Sequence, residues 1–431
     1  MNIGEIFKKE LGKIKLSDEE YKNLEHLSSL VIESINKKLK SKKIDAKVFV
    51  GGSLAKKTLI KKPKYDVDLF LRFNKKYSED EIKKLCKRIF FFFRIPGYSS
   101  KVKRIHGSRD YYHVHLKKNN VIFEIVPTIN ITKPEEARNI TDLSYFHVSY
   151  VTKEINKNKK IRDEILLAKS FCYSQGCYGA ESYISGFSGY AIELLIIYFK
   201  GFKKMIEDLS KTENKVVIDM SKHYKTKEEL IKEMNPSKMK SPIILIDPTF
   251  KKRNASGALS YETFNNFKIA SQGFIKHPGE HFFDYNKSKG DELKEIAKRL
   301  EITYSVFEIK TRKQEGDIAG SKLLKFSKVL TRNISKYYTI IGHNFDYEGG
   351  KTAKVYYVIQ KKKEIIIIGP SIHMKNAVEG FKKKHPIWYT EEGRIKSAKS
   401  TDITLKDFLK QFKKTHKKIM REMSIKKIKL V

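Results

Sequence analysis

Three things are scarce in this sequence. There are only three cysteines in 431 residues, Cys86, Cys172 and Cys177, and none forms a Cys-x-x-Cys pair. That excludes a disulfide framework and a cysteine zinc site, and it fits a reducing compartment, the cytoplasm. Long apolar runs are missing as well: residues 190–199 and 365–368 fall well short of the roughly 20 residues of a membrane-spanning helix. The first fifteen residues are charged and lack a signal-peptide core, so a soluble protein with no membrane partner is expected. Acid is also scarce. Against 89 Lys and Arg there are 50 Asp and Glu, a formal charge of +39. Such an excess points to a polyanion, nucleic acid first, although a merely solvated lysine surface accounts for part of it.

What is present is organised around Gly51-Gly52-Ser53, followed after a basic loop by Tyr65-Asp66-Val67-Asp68-Leu69-Phe70. The residues before the glycines and those around the aspartates are rich in β-branched and aromatic types and read as two strands flanking a turn. Strand side chains alternate, so Asp66 and Asp68 point one way while Val67 and Leu69 point the other. Two ionised carboxylates this close call for a hard divalent cation, Mg²⁺ with Mn²⁺ not excluded. The glycines allow close approach to a phosphate, and a helix opening at Ser53 favours anions. Either half alone is as much a structural turn as a site. In this order and spacing, the pair resembles the polymerase-β-like nucleotidyltransferases, which carry Gly-Ser and then Asp-x-Asp about a dozen residues on. A third carboxylate is expected on a neighbouring strand, and Glu124, alone in the apolar run 121–127, is the candidate; the alternative is an edge-strand acid facing solvent.

At 431 residues, two to four domains are expected. Ser17 and Ser78 open helices, and residues 1–145 read as a mixed sheet backed by them. Residues 142–148 read as a linker into a helix over 162–174. Taken alone, His147 is a partly buried histidine, and Lys169 either snorkels from an apolar stripe or reaches a triphosphate. Residues 222–240 read as a charged connector. Further on, strands over 337–343, 354–359 and 364–368 make a sheet under a helix over 323–336. A final helix over 405–423 sets apolar residues against lysines.

Phe146-His147, Lys169, Gly176-Cys177-Tyr178-Gly179-Ala180-Glu181, Gly186-Phe187-Ser188-Gly189-Tyr190 with Glu193, Ile246-Asp247-Pro248, Arg253 and the late Gly369-Pro370-Ser371 narrow this likeness. Together they resemble the class I, archaeal-type CCA-adding tRNA nucleotidyltransferases over nearly the whole chain. The resemblance implies an α+β protein with a polymerase-β-like nucleotidyltransferase head (1–145), a helical neck (146–256), an α/β body (257–305 and 396–431) and a tail (306–395). It implies two Mg²⁺ ions on Asp66, Asp68 and Glu124, and nucleotide ligands Gly52, Ser53, Lys56, His147, Lys169, Tyr178 and Arg253. The implied partners are the tRNA 3′ end, CTP and ATP, with a homodimer through the tail by analogy. Two departures stand out: Glu124 replaces an Asp, and Leu143-Ser144-Tyr145 replaces an Arg-Thr-Pro before the histidine. A poly(A)-type polymerase, a small-molecule nucleotidyltransferase and a decayed RNA-binding protein are the rival readings.

Overall fold

Two helices open the chain, both where the sequence caps them. Asn2 accepts the Glu5 amide ahead of α1 (Ile3–Ile14), and Ser17 accepts that of Glu20 ahead of α2 (Asp18–Ser41), with each glutamate returning the bond. The computed structural model describes residues 2–107, 109–116, 119–285 and 289–431, and it divides into two units, Met1–Tyr285 and Asn286–Val431. Lys117 and Lys118 of the expected hairpin turn lie outside the described residues.

The first unit begins with a five-stranded sheet. Along the chain run β1 (Ala46–Val50), the single turn α3 (Gly52–Ala55), β2 (Tyr65–Phe73), α4 (Glu79–Phe90), β3 (Ser100–Ile105), β4 (Tyr111–Leu116) and β5 (Val121–Ile129). The spatial order is β1-β2-β5-β4-β3, with β2 and β5 parallel and every other pair antiparallel. Val67, Leu69, Leu71, Phe123 and Ile125 point to the back, where they share a buried core with Leu24, Leu27, Val31 and Ile35 of α2 and Ile82 and Ile89 of α4. Strand alternation therefore sends Asp66, Asp68 and Glu124 to the front.

Asp142 ties the end of this sheet to the segment leading into the next helices. Buried, it accepts from the Arg109 guanidinium at 2.6 Å and from the amides of Ile129 and Asn139 at 2.9 Å each. Asp142→Ala leaves Arg109 buried with only Glu79 as counter-charge, and we expect a loss of about 3 kcal/mol in urea unfolding.

Residues 142–148 are not a linker: a 3₁₀ turn runs directly into α5 (Ser144–Lys157), which buries His147, Val151 and Ile155 at every fourth residue. Its start is silent in the sequence because the preceding Leu143 offers no side-chain cap. Behind it pack α6 (Lys160–Ser174), α7 (Gly189–Phe199) and α8 (Phe202–Leu209). Next comes a three-stranded sheet of β6 (Val216–Ile218), β7 (Ile243–Asp247) and β8 (Phe250–Asn254). The supposed connector over 222–240 contains α9 (Lys227–Glu233), whose Leu230, with Met234 just beyond it, is buried against Ile244 and Ile246. Helix α10 (Tyr261–Lys276), taken from sequence as the start of the body, sends Phe264, Phe267 and Phe274 into the α6–α8 core, and the unit ends only at Tyr285.

In the second unit, α11 (Lys289–Arg299), β9 (Thr303–Thr311), α12 (Gly316–Tyr337), β10 (Tyr338–Tyr347) and β11 (Thr352–Lys361) lead to β12 (Glu364–Ser371), α13 (Lys375–Lys384), β13 (Tyr389–Glu391) and β14 (Arg394–Ser400). The chain finishes with α14 (Leu405–Thr415), α15 (Lys417–Glu422) and β15 (Ile425–Leu430). One sheet has the order β10-β11-β9-β15; β12 leaves it for a separate sheet, β12-β14-β13, contrary to the single sheet read from sequence. The single final helix is likewise two, followed by a strand. Ile425 and Ile428 are three apart, a spacing that breaks strand alternation, and a register shift after Ile425 lets both be buried. Among the described residues no helix is long and apolar enough to cross a membrane.

Candidate active site

The front of the sheet brings the expected carboxylates together. Asp68 sits directly opposite Glu124 on the parallel neighbour strand, about 4.8 Å away between backbones, and Asp66 is one step along on the same face. Burial first, then the Glu124 charge, raises Asp66 and pushes Asp68 up to about 7. His113, opposite Glu124 on β4, holds its carboxylate through Nε2 at 2.8 Å. This contact restrains the extra methylene by which glutamate exceeds aspartate.

Gly52 is required by what lies beneath it. Its φ is +57°, and a Cβ there would overlap the Asp68 carboxylate, while a Cβ on Gly51 would overlap the Phe70 ring. The turn thus lies directly over the carboxylates, with the Ser53 backbone beginning α3. We expect Gly52→Ala to displace the Asp68 carboxylate and to cost more than the roughly 1–2 kcal/mol of a left-handed alanine alone, as read by thermal melting.

Lys56 and Lys169 meet on a residue to which sequence reasoning assigned no role. Glu193 of α7, fully buried, accepts from Lys56 at 2.6 Å, Lys169 at 2.8 Å and the Thr58 hydroxyl at 2.9 Å. Lys169 also donates to Thr58 Oγ1 at 2.9 Å and to its carbonyl at 3.1 Å. Burial alone would raise the Glu193 carboxyl, but the two lysines hold it down at about 2. Burial in turn brings Lys169 down to about 8. Both lysines act electrostatically on Asp68, so this cluster and the carboxylates form one site. Tyr178 adjoins it, its phenol pushed up by burial and by Glu193. Lys62, also missed, lies over the Tyr178 ring at 5.4 Å and feels the Asp66 charge. A lone acid inside the apolar helix 191–199 was the available signal for Glu193, since an acid there must be paired.

His147 and Arg253 converge on a second unassigned acid. Asp247 Oδ2 accepts from Arg253 at 2.7 Å and lies 3.0 Å from His147 Nε2, while Oδ1 accepts from the Tyr190 hydroxyl at 3.0 Å. Burial would raise Asp247, yet His147 and Arg253 keep it well below the usual carboxylate range. Burial lowers His147 against that pull. The His147 and Tyr190 rings stack at 4.1 Å, Arg253 lies over Tyr190, and Arg253 Nε is buried with no hydrogen-bond partner among the described residues.

The donor chemistry fits a hard divalent cation: three carboxylates share a face, two of them raised by burial and like charge, and two buried lysines lie beside them. Among the described residues no group of three or more His, Cys, Asp or Glu already converges on one point. The carboxylates are aligned by strand register and not by an existing cage.

Comparisons with known proteins bear on the family of the chain. Residues 1–161 match the Second Messenger Oligonucleotide or Dinucleotide Synthetase domain, and residues 163–284 match the second domain of tRNA nucleotidyltransferase. A solved poly(U) polymerase, 14% identical with a TM-score of 0.50, covers 65% of this chain and 98% of its own, and it shares the fold. The CCA-adding enzyme of Sulfurisphaera tokodaii is 28% identical over 413 residues, 93% of this chain and 90% of its own. That of Nanoarchaeum equitans is 35% identical over 289 residues, 67% of each chain. With a polymerase-β-like carboxylate face, a buried lysine cluster beside it and relatives of this closeness, the chain belongs to the CCA-adding enzymes, the tRNA nucleotidyltransferases.

Proposed function

We propose that the chain adds C, C and A to the 3′ end of tRNA from CTP and ATP, releasing pyrophosphate, on the front face of β2 and β5. The observation that carries this reading is the gathering of Lys56, Lys169 and Thr58 around Glu193 within electrostatic reach of Asp68, which sets a phosphate-binding cluster beside a carboxylate pair. The triphosphate lies on the amides of Gly52 and Ser53 at the start of α3. Lys56 and Lys169, already desolvated, reach its oxygens by exchanging bonds now made to Glu193 and Thr58. Tyr178 packs beside them. His147, fixed by Asp247, contacts the sugar, and the Arg253 fork reaches the base together with the RNA end. Asp66, Asp68 and Glu124 would hold Mg²⁺, two ions with Mn²⁺ as a stand-in. When bound, the metal activates the RNA 3′-hydroxyl and neutralises charge on the departing pyrophosphate. The lysines of α14, opposite its buried Phe408, Leu409 and Phe412, suit the phosphates of a folded RNA.

The test is to incubate tRNA lacking its 3′ end with CTP, ATP, both or neither, in Mg²⁺, and to resolve products nucleotide by nucleotide. Two cytidines and one adenosine followed by a stop is the expected result. Continued adenylation would make the chain a poly(A)-type enzyme, and no extension of any tRNA would overturn the reading.

A further inference from the structure

The front of the sheet continues past the carboxylates. On β2 the next two side chains on that face are Phe70 and Arg72, and opposite them on β1 stand Phe49 and Lys47. Phe49 stacks on Phe70 at 5.2 Å, and Tyr145 of α5 meets Phe49 edge-on at 5.7 Å. The Arg72 guanidinium lies 4.5 Å from the Tyr145 ring centre and donates to the Ile131 carbonyl at 3.3 Å. Phe49 and Tyr145 open onto a cleft of about 790 Å³ whose α5 wall carries Thr152, Lys153, Asn156 and Lys157. Among the described residues no carboxylate lines it. Tyr145 stays 46% exposed.

An exposed aromatic ring backed by a guanidinium, facing two cations and small polar groups, suits an unpaired nucleotide: the base stacks and the phosphate meets the lysines. Two observations say which nucleotide. The triphosphate has its own cations in Lys56 and Lys169, which do not line this cleft. Phe49, on the cleft wall, stands opposite Phe70, two residues beyond Asp68 and about 7 Å along the strand, which is the reach of about two stacked nucleotides at about 3.4 Å each. Resting on the reading of the chain as a tRNA 3′-end nucleotidyltransferase, we propose that the cleft lined by Phe49, Tyr145 and Lys153 binds an unpaired acceptor-strand nucleotide just upstream of the growing 3′ end. Its base lies on Tyr145 and the phosphates of the strand run along α5 toward Lys153 and Lys157, the latter now paired with Glu154. The cleft holds the register of the strand as each addition moves it.

The test uses the full chain and a tRNA ending in two cytidines, with 2-aminopurine at the unpaired position just before them. Binding without nucleotide quenches the fluorophore in the parent protein and in Tyr145→Phe, but not in Tyr145→Ala. In the same variant KM for tRNA rises about tenfold while KM for ATP is unchanged, the size expected for one lost base–ring stack. Lys153→Ala with Lys157→Ala also raises KM for tRNA and flattens its salt dependence. Quenching and tRNA KM unchanged in Tyr145→Ala would overturn the proposal, and so would a rise in KM for ATP instead. If the parent protein quenches through Tyr145 yet extends no RNA, the cleft assignment stands and the reading of the activity falls.

Discussion

Asp68→Asn is expected to slow nucleotide addition by about 10³-fold or more, a loss of roughly 4 kcal/mol in transition-state stabilisation, with tRNA affinity unchanged. The residue is on the front face, opposite Glu124 and beneath Gly52, where the proposed function needs a charged oxygen and an amide cannot replace it. Stability should move the other way. The folded value of about 7 lies above the ordinary 3.8, so the folded chain holds this proton more tightly than the unfolded one. Metal-free protein therefore loses stability from this group as pH rises from about 4 through about 7, and the Asn variant does not. Equilibrium unfolding in a chelator at pH 5 and pH 8 measures this, with single-turnover extension run alongside. A variant that keeps its turnover would remove Asp68 from the mechanism. A variant that melts lower at pH 8 would contradict the charge crowding.

The second large effect is expected at Glu193. Glu193→Ala strands two buried ammonium groups, and breaking a buried ion pair from one side costs about 3–5 kcal/mol. Glu193→Gln keeps the shape and the Thr58 contact but removes the charge, which isolates the electrostatic part. Lys169, already brought down to about 8 by burial, loses its opposing carboxylate and moves further down, so it is less charged near neutrality. KM for the nucleotide should then rise about tenfold or more, the worth of a charge-assisted hydrogen bond. The pH dependence has a definite sign. With its folded value at about 2 against an ordinary 4.5, Glu193 contributes stability that is fully present above about pH 4.5 and lost as pH falls toward 2. The gap in unfolding free energy between parent and Glu193→Gln should therefore be wide at pH 7 and much narrower at pH 3. A gap independent of pH would mean that shape, not charge, holds the lysines.

Much of this protein was legible before its fold was known, and the legible parts share a cause. Asp66 and Asp68 share a face because strand side chains alternate; α2 and α4 start at Ser17 and Ser78 because capping is chemistry within four residues. Local geometry determined these features, and a motif of that kind survives without its surroundings. Where local signals were absent or broken the reading failed: α5 begins at an uncapped Leu143, and β15 breaks its alternation at a bulge.

The sequence alone determined the carboxylate strand, the glycine turn over it, the lack of disulfides and the basic character that calls for a polyanion. It also singled out Lys56, Lys169, His147 and Arg253. Only the tertiary structure decided what those four residues face. Glu193 is 137 residues from Lys56 in the chain and Asp247 is 100 from His147, and spacing along a sequence carries no information about such contacts. Burying a cation is unfavourable unless a partner is buried with it, so folding had to bring each acid to its bases. The pairings fix which atoms are oriented toward a ligand.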